Sequence, residues 1–361
     1  MSAPVAVFLS YRLGGADGVA VEATKWEWAL REVGLVTRRV AGAFEDGGRR
    51  DDVVLPFLAI DAPPTIRQEP GALADALAGA DLVVVENVCS LPLNEAAART
   101  AAEVLERFPG RVLLHHHDLA SERPDLGLGA GPPPAPPGAL HVTISEHARS
   151  TLARLGIPAA VIRNAFETTL PPGDRDGTRK RFRFQPRELV VLQPTRAIPR
   201  KGVAAGLALA EKLSAVGPGS TVAYWLTGPA EDGYGPALEE ILGAATVKVA
   251  RGRTDRVADA YAAADLVVMP SSWEGFGNPV VEAILAERPV ACARYPVLDE
   301  LLALGLEVLP VEDARAVAEF LQDPDPEVLR RNREIAAREL GLARLPRRIT
   351  EAFAHVGWEQ W

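Results

Sequence analysis

The sequence predicts an α/β protein made of two similar halves, each a parallel sheet covered by helices, on three observations. Short runs of branched apolar residues recur with helical patterns between them. The runs are continuously apolar instead of alternating, as strands buried on both faces must be. A pattern is also used twice: Asp75-Ala-Leu-Ala-Gly-Ala-Asp81-Leu-Val-Val84 returns as Asp259-Ala-Tyr-Ala-Ala-Ala-Asp265-Leu-Val-Val268, a helix end feeding a strand in each half. The chain has 361 residues, enough for about two domains at roughly 150 residues each.

In chain order, the first strand is expected at 5–9; it is too short and lacks the basic flank of a leader, and it runs into Arg12 and Gly14-Gly15. Further strands of the first half are expected at 82–85, 112–114 and 142–144. The Pro-rich stretch 131–138 lies ahead of the last of these and is a stiff loop. Polar, breaker-rich residues at 168–178 mark a linker, with the boundary near residue 168. The first domain is therefore 1–167 and the second 168–344, whose strands are expected at 189–192, 222–226, 266–269 and 290–292. A last helix, within about 345–361, carries Ile349, Phe353 and Val356 on one face, with Trp358 and Trp361 beyond; such a tail packs on something.

Composition narrows the function. A formal charge of −9 repels phosphate backbones and anionic lipid, so nucleic acid is not an expected partner. Cys89 and Cys292 form no CxxC pair, which fits a reducing cytoplasm and indicates neither a disulfide framework nor a zinc site. No apolar stretch approaches the ~18 residues of a membrane span.

Two segments carry chemistry. In Met269-Pro-Ser-Ser-Trp-Glu274-Gly-Phe-Gly277-Asn278-Pro279-Val-Val-Glu282 a strand ends, two glycines follow, and Asn278 and Pro279 read as N-cap and first-turn proline of a helix. A helix N-terminus reached through glycines attracts anions. Glu282, among apolar neighbours, requires hydrogen-bond donors such as ribose hydroxyls, and Glu274 is placed to accept hydroxyls of a sugar. In Leu192-Gln-Pro-Thr-Arg196-Ala-Ile-Pro-Arg200-Lys201-Gly202 cations gather after another strand, suited to a diphosphate.

The Glu274-x7-Glu282 pair, the Arg196-x4-Lys201-Gly202 element, Leu226-Thr227-Gly228-Pro229, Gly14-Gly15-Ala16 and the segments Ile144-Ser145-Glu146-His147 and Ile162-Arg163-Asn164-Ala165 together resemble the retaining glycosyltransferase family 4 of GT-B fold. That resemblance implies two Rossmann-like domains facing across a cleft, the C-terminal helix packing back on the first. It implies a nucleoside diphosphate sugar as donor, a hydroxyl acceptor, and no metal ion or other cofactor. By it, Arg196 and Lys201 hold the diphosphate, Glu282 the ribose and Glu274 the transferred sugar, helped by Gly228 and by amides of Phe276, Gly277 and Asn278. His117 contacts the donor sugar, and Gly14, Gly15 and Asp17 face acceptor or phosphate. Some members work at membranes, so the basic aromatic run 179–184 is a candidate peripheral contact, weighed against a solvated flank whose Phe residues pack on the second domain. A sugar-nucleotide epimerase and a non-catalytic binding protein are the alternatives.

The run His115-His116-His117 invites a metal reading, but neighbours on a strand point to opposite faces, leaving only His115 and His117 to converge. Asp174-Arg-Asp176 and Asp323-Pro-Asp325 match an Asp-x-Asp metal signature without following a strand, and Gly127-x-Gly129-x-Gly131 opens no helix, so these are discounted. The stretch 86–94 carries no generic signature and is a candidate for acceptor choice.

Overall fold

The computed structural model describes residues 3–129, 131–169, 171–216 and 221–358. Trp361 and position 170 of the expected linker lie outside the described residues. The chain divides into two compact units, Met1–Ala165 with Leu342–Trp361, and Phe166–Gly341.

The first unit is a seven-stranded parallel sheet of β1 (Val5–Leu13), β2 (Val36–Phe44), β3 (Val53–Val54), β4 (Leu82–Glu86), β5 (Arg111–His116), β6 (Leu140–Thr143) and β7 (Ala160–Val161), in the order β3-β2-β1-β4-β5-β6-β7. Its continuous apolar runs are split between two cores. Ala6, Phe8, Leu82, Val84 and Leu113 pack on one face, and Val7, Leu9, Val83, Val85, Val112 and Leu114 on the other. Alternate side chains thus serve opposite layers of helices. The helix Leu345–His355 belongs to the first face, where Leu345, Ile349 and Phe353 are buried at a spacing of four with Trp26. Val356, expected on that face, is exposed, because the helix has ended and the chain has turned; Trp358 instead folds back onto Phe353 with ring centroids 5.7 Å apart.

The second unit repeats the plan with six strands, β8 (Leu189–Gln193), β9 (Val222–Leu226), β10 (Lys248–Arg251), β11 (Leu266–Met269), β12 (Val290–Cys292) and β13 (Leu309–Pro310), in the order β10-β9-β8-β11-β12-β13. Both sheets are wound outward from their first strand in both directions, which creates one switch point in each: between β1 and β4, and between β8 and β11. Ligands of such sheets bind beyond the carboxyl ends of the strands that flank the switch.

The stretch expected as a linker is tied into the second unit. A Cβ at Gly173 would lie 2.2 Å from the Ala258 carbonyl oxygen. Asp174 caps the helix Arg175–Arg181 by accepting from the Gly177 amide at 2.9 Å, and Asp325 caps the helix Pro326–Leu340, so the Asp-x-Asp look-alikes include helix caps. The basic run is no solvated flank throughout: Arg179 is buried and donates to the carbonyls of Ala263, Gln185 and Glu188, tying the helix to the segments that lead into β11 and β8. Phe182 and Phe184 pack against Trp225 with tilted rings. No helix among the described residues is long and apolar enough to cross a membrane.

Candidate functional site

In the second unit both informative segments leave the switch point, one from β8 and one from β11. The loop after β8 closes as a short turn, Pro199–Lys201, and Gly202 follows with φ +63°. A Cβ there would meet the Pro270 carbonyl oxygen at 2.4 Å, so the residue must be glycine for the two loops to touch. Gln193, at the end of β8, receives the Tyr224 hydroxyl at 2.7 Å and donates to the Lys201 carbonyl at 2.9 Å, and the Ser272 amide donates to the Arg200 carbonyl at 2.9 Å.

This backbone clasp brings Lys201 onto Glu274. The Nζ donates to both carboxylate oxygens, at 2.5 and 2.6 Å, with both side chains buried. Burial pushes the Glu274 carboxyl up, but the charges of Lys201 and Arg200 and the hydrogen bonds from Lys201 outweigh it and hold the group below the usual range. For Lys201 burial wins: its pKa is lowered, with the charges of Arg200 and Arg196 acting in the same direction and Glu274 opposing.

Arg196 does not join this pair. Its guanidinium, 38% exposed, donates to Glu231 at 2.6 Å. The residue that closes on Glu274 from the cationic loop is Arg200, 3.5 Å away, which also donates to the Trp273 carbonyl at 2.8 Å. Gly228 lies directly on the Arg196 backbone: a Cβ would come within 2.5 Å of the Arg196 Cα and 2.3 Å of the Thr195 carbonyl oxygen. Its amide already donates to Thr195, so it shapes the loop and has no free N–H to offer a ligand.

The helix that carries Glu282 begins one residue earlier than the capping pattern implies. It spans Asn278–Leu285, and the cap is Gly277, in the left-handed region at φ +97°. A side chain at Gly277 would strike the Tyr295 hydroxyl, 2.2 Å from the built Cβ. The Tyr295 hydroxyl has no hydrogen-bond partner at normal geometry among the described residues. Glu282 is half-buried and accepts from the Tyr261 hydroxyl at 2.7 Å, so one of the donors it requires comes from the protein. The Phe276 ring is buried and stacks on Phe166, 6.1 Å between centroids, which pins the loop between the two glutamates.

In the first unit, Gly14 follows β1 at φ +75°, and Gly14 and Gly15 lie against acids: Cβ atoms on them would meet the carboxylates of Asp46 and Glu45. Asp17 has a different role from the ligand contact expected. It caps the helix Gly18–Glu32, accepting from the amides of Val19 and Ala20 at 3.0 and 3.1 Å, and receives Arg12 Nε at 3.1 Å. Its carboxylate occupies the helix N-terminus that a phosphate would use.

His117 lies just beyond β5, and the group that holds it was not found from sequence. Glu86, at the end of β4 and in register with His115, accepts from His117 Nε2 at 2.7 Å and His115 Nδ1 at 2.9 Å. His116 points to the other face and pairs with His141 at 2.9 Å. Glu86, His115 and His117 offer three ligand atoms near one another. Two ligands on a tetrahedral ion at about 2.0–2.1 Å would sit about 3.3 Å apart, however, so 2.7 and 2.9 Å are distances of shared protons.

Residues 190–323, which contain the Lys201–Glu274 pair, Arg196, Gly228 and the Asn278–Leu285 helix, match the family model described as glycosyl transferases group 1. Over that segment the chain is similar to the group 1 glycosyltransferases. It is 26% identical to the mannosylglucosylglycerate synthase of Petrotoga mobilis, over 83% of this chain and 84% of that protein. It is 25% identical to the enzyme of the same name from Thermotoga maritima, over 97% and 94%. Its fold matches the Anabaena protein Alr3699/HepE, solved in complex with UDP and glucose, with a TM-score of 0.74 at 19% identity, covering 98% of this chain and all of that one. This glycosyltransferase thus has the GT-B fold that the resemblance implied.

Proposed function

We propose that the chain moves a hexose from a UDP- or GDP-linked sugar to an acceptor hydroxyl, with retention at the anomeric carbon. The observation that carries this reading is the buried Lys201–Glu274 pair at the β8/β11 switch point, beside a glycine-capped helix N-terminus, inside the segment that matches the glycosyltransferase family. A structural neighbour solved with UDP and glucose supports a uridine donor.

In this reading the diphosphate lies over Lys201, Arg196 and the amides from Phe276 to Asn278, with Gly228 letting the Arg196 loop approach. Arg196 exchanges the exposed Glu231 for phosphate at small cost, because a half-exposed ion pair is worth only about 0–1 kcal/mol. Glu274 accepts sugar hydroxyls and Glu282, held by Tyr261, the ribose hydroxyls. His117 serves the donor sugar, and the turn at Gly14 and Gly15 leaves backbone open to acceptor or phosphate. The anomeric carbon–oxygen bond to phosphate breaks, the acceptor oxygen bonds from the face the diphosphate leaves, and the acceptor proton passes to the departing phosphate oxygen. Catalysis is then positioning and electrostatic stabilisation. The cations and helix dipole meet the growing negative charge without a metal ion.

A thermal-shift screen against UDP, GDP, ADP and their sugars, followed by product analysis, tests this. A ligand at 100 times its dissociation constant adds about 2.7 kcal/mol of stability. Transfer with retention releases nucleoside diphosphate only when acceptor is present and keeps the donor's anomeric configuration in the product. Donor consumed without acceptor would favour an epimerase, and binding without turnover a non-catalytic protein.

A further inference from the structure

Glu86 and Asn87 form a holder for His117 that goes beyond the proposed function and rests on its placing of His117. Glu86 stands at the end of β4, beside the β1/β4 switch point of the first unit, and its carboxylate is fully buried. One oxygen receives both imidazoles, while the other, Oε1, has no partner among the described residues. Asn87 follows in the left-handed region, φ +61°, a cost for any residue but glycine. That conformation points its Oδ1 at the chain beyond β5, where it accepts the amides of His117 at 2.8 Å and Asp118 at 3.2 Å. Two consecutive residues thus grip the same histidine, one by its ring and one by its backbone. A strained, polar, buried clasp on one side chain is more than packing requires.

We infer that Glu86 and Asn87 are positioning residues for His117: they fix its backbone, commit its Nε2–H to the carboxylate, and leave Nδ1–H as the donor to an oxygen of the substrate. The other groups facing the ring agree with this. Glu22 from the helix Gly18–Glu32, and Asp118 next in the chain, add negative charge, while His115 and His116 on β5 oppose a second cation. Burial alone would lower the His117 pKa, but the Glu86 hydrogen bond and charge reverse this and raise it. His115 goes the other way: burial lowers its pKa, so it stays neutral, donating from Nδ1 and leaving Nε2 without a partner among the described residues. An acceptor nitrogen left bare costs less than an imidazolium buried beside another. Glu86 therefore serves one charged and one neutral imidazole, and the charged one is the ring that retains some exposure, 5%.

The test uses the full chain with ¹⁵N-labelled histidine, and His117 assigned by loss of its signals in His117→Ala. In the wild type, His117 is expected to titrate above 6.5 with a protected Nε2–H, and a His117 that is neutral at pH 6.5 overturns the proposal without any Glu86 variant. In Glu86→Gln the His117 midpoint is expected to fall by a unit or more. The pH limb of kcat/KM should move with it, and kcat/KM should drop on the order of 10-fold to 100-fold. Glu86→Gln placed on His117→Ala should add less than twofold. Equal losses from Glu86→Gln in both backgrounds, or an unmoved His117 midpoint, would mean that Glu86 acts only on the fold. One zinc ion per purified chain, lost in Glu86→Gln, would also overturn it. If no sugar nucleotide is turned over, the transfer reading fails, while the histidine titration still decides the role of Glu86.

Discussion

The two units have the same strand order and the same kind of switch point, yet their chemistry is opposite in character. Beyond β8 and β11 stand cations, with Lys201 buried on Glu274 and Arg200 beside it. Beyond β1 and β4 stand acids, with Asp46, Glu45 and Asp17 around Gly14-Gly15 and Glu86 holding two imidazoles. The winding of the sheet decides where side chains converge, and the loops decide what they bind. A cationic floor suits a diphosphate, and an acidic and imidazole floor suits hydroxyls.

The largest expected effect separates two of the three cations that share one loop. Lys201→Ala should cost about 3 kcal/mol of stability, because it leaves buried Glu274 with only the Arg200 guanidinium, 3.5 Å away. It should also lower kcat by about 10²-fold to 10³-fold, as loss of one preorganised charge does. Arg196→Ala should cost less than about 1 kcal/mol of stability and act on donor KM. Urea unfolding beside steady-state kinetics distinguishes them, and equal stability losses would break the contrast between buried and exposed cations.

The glycines sharpen it further. Gly277→Ala adds strain at φ +97° to a clash with the buried Tyr295 and should cost about 1–3 kcal/mol, with weaker donor binding. Gly14→Ala, at φ +75°, meets only the movable Asp46 carboxylate and should cost about 1 kcal/mol. Thermal unfolding with and without donor checks both.

Glu122 gives a pH-dependent difference within the first unit. Burial pushes its carboxyl up to about 7, with the Asp118 charge adding to the rise and the Thr151 hydroxyl opposing it. The folded pKa is raised, so the protonated acid stabilises the fold below about 4.5 and that contribution is lost as pH climbs toward 7. Glu122→Gln should therefore gain on the order of 2 kcal/mol at pH 8 and little at pH 4, read as Tm against pH. At Asp17, a helix cap, the change to Ala should cost about 1 kcal/mol with donor affinity unchanged. A fall in donor affinity would return Asp17 to the ligand site.

The continuous apolar runs made the main strands of both sheets legible, because burial on two faces leaves no room for polar residues. The strand Val36–Phe44 was not read, since it carries Arg38 and Arg39; Arg39 is buried only because Asp46 and Asp52 receive it. The cationic loop and the glutamate pair were legible because each is local: strand, glycine and helix start lie within a few residues. Glu86 was not, because its role depends on β4 lying beside β5, which brings residues 29 and 31 positions apart onto one oxygen. The available signal was small: a charged residue and an asparagine at the end of the apolar run 82–85.

The most direct measurement is amide hydrogen exchange of the full chain with and without UDP, GDP and their sugars. The account predicts that the nucleotide that binds slows exchange at 276–282 and around Lys201, and that Lys201→Ala abolishes this protection. Turnover of a sugar nucleotide with no protection in those segments would contradict the assignment of the donor to the Lys201–Glu274 pair.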